Sequence, residues 1–319
     1  MHPRSIGLLC VASLVAISGS LARAQDFPIK PIRIITSAAG GGNDFMARLI
    51  ATGLSATIGQ QVVVDNRGGG ALPAVAVLQA PADGYTLLLS GSSFMIGHLL
   101  EDSPFDPERD FQPVTLAGAA PNVVLVHPSV PVKTVKDLIA LAKARPGQLN
   151  YSSSAAGATQ HLSAELFKAM AGVDIVRISY KGAGPGLIAL MGGETQVMIS
   201  AASGAMPHIR SGKLKALAVT SLQPTQLAPG LPTVDASGLP GYEVISGDCV
   251  FVKAKTPPAV INRLNQEIVR VISRPEVKEK VFVAGAEVVA SSPEALAANM
   301  RSEIVKWGKV IKDANIRTT

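Results

Sequence analysis

Ile32-Arg33-Ile34-Ile35-Thr36-Ser37-Ala38-Ala39-Gly40-Gly41-Gly42-Asn43-Asp44 joins a short apolar run to an apolar-periodic run over 45–58. The order is strand, glycine turn, helix. It aims several backbone N–H groups and a helix N-terminus at one spot. Such a spot favours an anion, because those amides lack helical partners and the helix dipole adds partial positive charge. The glycines remove the Cβ atoms that would block close approach. Ala47, Ile50, Leu54 and Ile58 fall on one stripe of the helix, the face expected to pack. Asp44 is expected to cap or tie down the helix start rather than act as a base.

A second turn of this kind, Tyr151-Ser152-Ser153-Ser154-Ala155-Ala156-Gly157-Ala158-Thr159-Gln160-His161, enters the amphipathic run 159–170. Its hydroxyls and amides can hold a carboxylate or its bridging waters. One such turn alone is more often an ordinary capped helix start. Two in one chain point to a shared cleft, because ligands of α/β sheets sit beyond the carboxyl ends of the strands. A third turn, Tyr180-Lys181-Gly182-Ala183-Gly184-Pro185-Gly186, lacks the Walker spacing and its closing Lys-Ser/Thr pair. Lys181 reads either as a cation near an anionic ligand or as a solvent-facing lysine at a strand end, the commoner case. The glycines at 40–42 lack the dinucleotide fingerprint, although Asp65 stands at about the right distance for a ribose.

Strands are expected at 32–35, 62–64, 85–89, 123–126, 173–178, 197–199, 214–219 and 250–252. Helices are expected at 45–58, 135–144, 159–170, 186–191, 259–273, 276–284 and 293–313. The alternation predicts an α/β fold with mainly parallel sheets covered by helices. A chain of 319 residues can bury a large core in two lobes. With 47% hydrophobic and 16% charged residues, a long disordered tract is not expected.

Arg4, an uncharged run over 5–21 and Ala22-Arg23-Ala24 make a basic region, a short apolar region and an Ala-x-Ala site. Residues 1–24 are therefore expected to be a cleaved secretory signal. Cys10 leaves with it, and Cys249 remains without a disulfide partner, expected as a small buried apolar residue. Export without disulfides suits a bacterial periplasm. Loss of Arg4 and Arg23 takes the net charge from +6 to a mildly basic +4. The lack of a Lys/Arg cluster and the 4% aromatic content argue against nucleic acid. His98, His127, His161 and His208 show no zinc spacing, and no G-x-S-x-G elbow occurs. No metal, cofactor or catalytic set is expected; amides with few paired titratable groups bind better than they catalyse.

Ordered blocks run through the chain: Phe27-Pro28-x-Lys30-Pro31-Ile32-Arg33, Ala38-Ala39-Gly40-Gly41-Gly42-x-Asp44, Val64-Asp65-Asn66-Arg67, Asp83-Gly84-Tyr85-Thr86-Leu87, Asp110-Phe111-x-Pro113-Val114, Tyr180-Lys181-Gly182 and Pro207-His208-Ile209-Arg210-Ser211-Gly212-Lys213. In these the chain resembles the tripartite tricarboxylate transporter receptors, the TctC or Bug family of periplasmic solute-binding proteins. The resemblance implies a two-lobe type II periplasmic-binding-protein fold with a ligand cleft between the lobes. It implies capture of a small mono- or dicarboxylate for a membrane permease, by a monomer, with no chemistry performed. Carried over by position, Ser37, Ala39, Gly40 and Gly42 would hold one carboxylate, with Ser153, Ser154, Gly157 and Thr159 opposite. Lys181, Gly182, Ala183 and Gly184 would border the cleft, and Ser93 and His161 are further candidate contacts. Lobe 1 is expected over 25–124 and 247–319, and lobe 2 over 125–246, with the return crossing somewhere in 222–250.

The chain departs from the family where an aromatic often stands. Ser37 fills one such position, and Gly247-Asp248-Cys249 replaces a Trp-Tyr-Gly-like run. A roomier, more polar pocket is expected, with Asp248 either meeting an amine or hydroxyl of the ligand or pointing to solvent. Two rivals remain open from sequence: a module presenting ligand to a receptor kinase, and an exported enzyme using His161 or Cys249.

Overall fold

The computed structural model describes residues 27–313 apart from 38, 69, 101–102 and 155–157. The expected signal at 1–24 lies outside the described residues. The chain starts β1 (Ile32–Thr36), α1 (Gly42–Ser55), β2 (Val62–Asn66), α2 (Leu72–Leu78), β3 (Thr86–Gly91), α3 (Ser93–Ile96) and α4 (Pro107–Asp110), then enters the long β4 (Phe111–Val126). There follow α5 (Val135–Ala144), β5 (Asn150–Ser153), α6 (Thr159–Ala171), β6 (Val176–Ser179), α7 (Ala183–Met191), β7 (Val197–Ala201), α8 (Ala202–Arg210) and β8 (Lys215–Val219). The chain returns through β9 (Ile245–Lys253), α9 (Pro258–Ile272), α10 (Pro275–Val283), β10 (Glu287–Val288) and α11 (Pro293–Asp313). None of the described helices is long and apolar enough to cross a membrane.

Local signals set several of these boundaries. Thr134 and Asp137 form a reciprocal capping box that starts α5. Ser292 Oγ accepts the Ala295 N–H at 3.2 Å where α11 begins. Strand order is β2-β1-β3-β9-β4-β7-β5-β6, with β8 and β10 also pairing β4. β1 pairs β2 and β3 in parallel, and β5 pairs β6 and β7 in parallel. All pairings made by β4 or β9 are antiparallel. The expected mainly parallel sheet is thus corrected: two parallel units flank a pair of long antiparallel strands. β4 serves both units, pairing with β9 over 111–121 and with β7 over 122–126. Register shifts at Pro113/Thr115, Leu116/Gly118 and Val124/Leu125 let one strand do so, since bulges bend and twist it.

Alternate strand residues pack on opposite faces. Ile34, Leu87, Leu89, Val250 and Val252 cluster with Met46, Ile50 and Leu54 of α1 and with Leu264 and Ile268 of α9. Ile35, Leu88 and Phe251 belong to the other cluster, with Phe94, Phe105 and Phe111. Coverage of both faces explains why these strands read as unbroken apolar runs. The chain crossings between the units are tied together by buried polar bonds. Asn122 donates its N–H to Thr220 Oγ1 at 2.8 Å, and Thr220 Oγ1 donates to Val244 O at 2.6 Å.

Candidate functional site

The carboxyl ends of β1, β3 and β7 and the amino ends of α1 and α6 converge on a cleft of about 800 Å³. At α1 the turn is shaped by Gly40, whose φ of +85° a side chain would strain. Gly41 caps the helix in an extended conformation, with no side chain bonded to the first-turn amides. Asp44 sits 5% exposed at the third helical position and reaches back. Its Oδ2 accepts the Gly40 N–H at 2.9 Å, and Asn66 Nδ2 donates to its Oδ1 at 3.0 Å. The same Asn66 amide donates to Ser37 O at 2.7 Å. The hydrogen bond from Arg48, then those from Gly40 and Asn66, lower the Asp44 pKa to about 2. An ionised Asp44 therefore folds the loop from behind and leaves the helix start uncapped toward the cleft, as its sequence reading as a tie requires.

The opposite turn is built in a similar way. Ala158 caps α6 without a side-chain hydrogen bond. Behind it, Arg177 Nε donates to Ser153 Oγ at 2.8 Å, and its Nη2 donates to Ser154 O at 2.9 Å. Ser154 Oγ donates to Gln160 Oε1 at 2.7 Å. The two serine hydroxyls are engaged within their own loop.

Of the expected contacts, Ser37, Gly40, Gly42, Ser93, Thr159 and Asp248 line the cleft. Ala39, Ser153, Ser154 and His161 are near those turns but not on its wall, and Gly157 lies outside the described residues. Lys181, Gly182, Ala183 and Gly184, where α7 begins, do not line it, and Lys181 is exposed. Sequence reasoning passed over Asn43, Ser90, Ser92, His98, Phe105 and Ser246, which do line it. A signal for Ser90 and Ser92 was present: Ser90-Gly91-Ser92-Ser93 closes β3 as a fourth small-residue turn. Ser92 Oγ accepts the Gly247 N–H at 2.8 Å, which ties that turn to β9.

The electrostatics of the wall are unusual for an anion site. Among the described lining residues there is no lysine or arginine, and Asp248 is the sole carboxylate. Burial pushes Asp248 up to about 6. His98 also lines the cleft, and its Nδ1 is buried without a hydrogen-bond partner among the described residues. Burial, then the Arg177 charge, lowers His161 to about 4, so its ring is neutral at pH 7. Cys249 is fully buried, and burial pushes its thiol far up, which denies it a thiolate.

Comparison with known proteins identifies the family and the fold. Residues 46–316 match the profile of the family described as "Tripartite tricarboxylate transporter family receptor". BugT of Bordetella pertussis is 33% identical over 97% of this chain and 98% of its own. Rpa4515 of R. palustris, solved with adipate, is 36% identical, with a TM-score of 0.80 over 91% of this chain and 99% of its own. MatC of Rhodopseudomonas palustris, solved with bound malate, is 27% identical, with a TM-score of 0.77 over 89% of this chain and 100% of its own. The two-lobe fold expected from the motif blocks is that of these binding proteins, and the chain belongs to the TctC family of tripartite tricarboxylate transporter receptors.

Proposed function

We propose that the protein is a periplasmic receptor that captures a small carboxylate and delivers it to a tripartite tricarboxylate-type permease. The observation that carries this reading is the pair of side-chain-uncapped helix starts, at Gly41 and Ala158, on the wall of one cleft. Backbone amides at helix N-termini hold a carboxylate without a cationic side chain. Support also comes from the relatives solved with adipate and malate. The buried thiol of Cys249 and the neutral, low-pKa ring of His161 give no activated nucleophile or strong base, which favours binding over turnover. In this reading lobe 1 is 25–124 with 247–319, lobe 2 is 125–246, and a monomer closes on its ligand by hinge motion.

The test is a thermal-shift screen of mono- and dicarboxylates against their neutral amides. A ligand held only by the folded form, at a hundred times its Kd, adds about 2.7 kcal/mol of stability. Carboxylates should raise the melting temperature and amides should not. Stabilisation by amides alone would refute the reading.

A further inference from the structure

We infer that the ligand is an aminocarboxylate: its carboxylate lies at the two helix starts, and a protonated amine at its other end pairs with Asp248. This rests on the reading of the cleft as a carboxylate site. The inference starts from sheet geometry. Asp248 lies in β9 between two strands, and its register partners on both sides are glycines, Gly91 of β3 and Gly118 of β4. Cross-strand neighbours are what normally cover a strand side chain. Here both are glycines: Met46 closes over Gly118, and Asp248 lines the cleft wall with no cross-strand side chain beside it. A Cβ on Gly118 would come within 3.5 Å of Asp248 Oδ2 and 2.7 Å of Met46 Cε. Any side chain at 118 would press on Met46 and on the Asp248 carboxylate.

No protein cation meets this carboxylate among the described residues. Among the described residues Asp248 makes no hydrogen bond or ion pair, and no lysine or arginine lines the cleft. The charged groups of neighbouring elements are engaged elsewhere. Asp44 and Arg48 of α1 pair with each other, and Glu287 of β10 accepts from Thr225 Oγ1 at 2.9 Å. Cys249, next along β9, is packed in the core. His98 is the other titratable side chain on the wall. Burial already disfavours the Asp248 charge. A second ligand carboxylate placed here would add like-charge repulsion, whereas an ammonium would supply the missing counter-charge. Selectivity thus comes from rejecting one class as well as attracting the other.

The experiment compares ω-aminocarboxylates with dicarboxylates of equal methylene count, such as 3-aminopropanoate with succinate and 5-aminopentanoate with adipate. Dissociation constants are measured by calorimetry at pH 7.5 and pH 5, over one to five methylenes. Wild type should prefer the best aminocarboxylate over its matched diacid by tenfold or more at pH 7.5. At pH 5 that preference should shrink, because Asp248 takes up a proton. Asp248→Asn should abolish both the preference and its pH dependence. If diacids or simple monocarboxylates bind and aminocarboxylates bind no better, the inference falls and the carboxylate reading stands. If no carboxylate of any class binds, both fall. Circular dichroism of Asp248→Asn checks folding, and Asp248→Glu, which keeps the charge, should retain part of the preference.

Discussion

Removing the Asp248 charge should stabilise the empty protein, in a pH window that the structure specifies. Burial raises this carboxyl from 3.8 to about 6. Below about pH 3.8 the group is neutral both folded and unfolded, so it contributes no difference. Between 3.8 and 6 the folded protein keeps a proton that the unfolded chain has released, and stability declines as pH rises. Above about pH 6 the charge is present in both states and the full burial cost remains. A shift of about two units corresponds to about 3 kcal/mol as a ceiling, and solvent reaching the carboxylate through the cleft reduces that to about 1–2 kcal/mol. For a chain of this size that is a rise in melting temperature of about 2–3 °C for Asp248→Asn at pH 7.5. The assay is a pair of thermal melts, variant against wild type, every half unit from pH 4 to 8 without ligand. The difference should open between pH 4 and 6.5 and then stay level. A difference equal at pH 4.5 and 7.5, or a variant less stable at pH 7.5, would refute the burial argument.

Asp44→Ala removes the carboxylate that accepts from Gly40, Arg48 and Asn66. It should cost about 1–2 kcal/mol above pH 4, a loss that vanishes toward pH 2 as the wild-type group protonates. It should also weaken carboxylate binding at least tenfold by calorimetry, because the first amide loop loses its tie. Gly53→Ala places a Cβ 2.2 Å from Val271 Cγ1, where α1 and α9 touch. Urea unfolding should show a loss of about 1–3 kcal/mol without a change in ligand preference. His161 should make wild-type stability fall as pH drops from about 6.5 to 4, since the unfolded chain binds its proton first. His161→Gln melts should lose that part of the slope, and an unchanged slope would contradict the neutral buried ring.

Much of this was legible in the sequence where local chemistry decides. α5 and α11 begin and end where their caps and apolar spacing place them. α1 starts three residues before the expected 45, because Gly42, Asn43 and Asp44, residue types that usually sit outside helices, here belong to its first turn. β4 was expected only over 123–126, yet it runs from Phe111. Pro113, Gly118 and Pro121 interrupt the apolar pattern there, and distant β9 supplies the pairing that holds it extended. β5 is Asn150–Ser153, polar apart from Tyr151, and its one aromatic residue is too little local pattern to mark a strand. α8 carries Pro207 inside it, a residue that argues against helix in isolation. The cleft shows the same division. Its glycine and serine turns are visible as composition. The glycine neighbours of Asp248 exist only once three strands far apart in sequence come into register.

That register sets Asp248 apart from the apolar residues that follow it in β9, which pack into the core on both faces. Cys249 and Phe251 are written into the core, where each change forces repacking. Asp248 instead lines the cleft, with Gly91 and Gly118 as its register partners. On the aminocarboxylate inference, ligand choice can drift by single substitutions at 248 while the fold's own vocabulary stays fixed. A library varying 248 together with 91 and 118 is the shortest route to receptors of new taste on this scaffold.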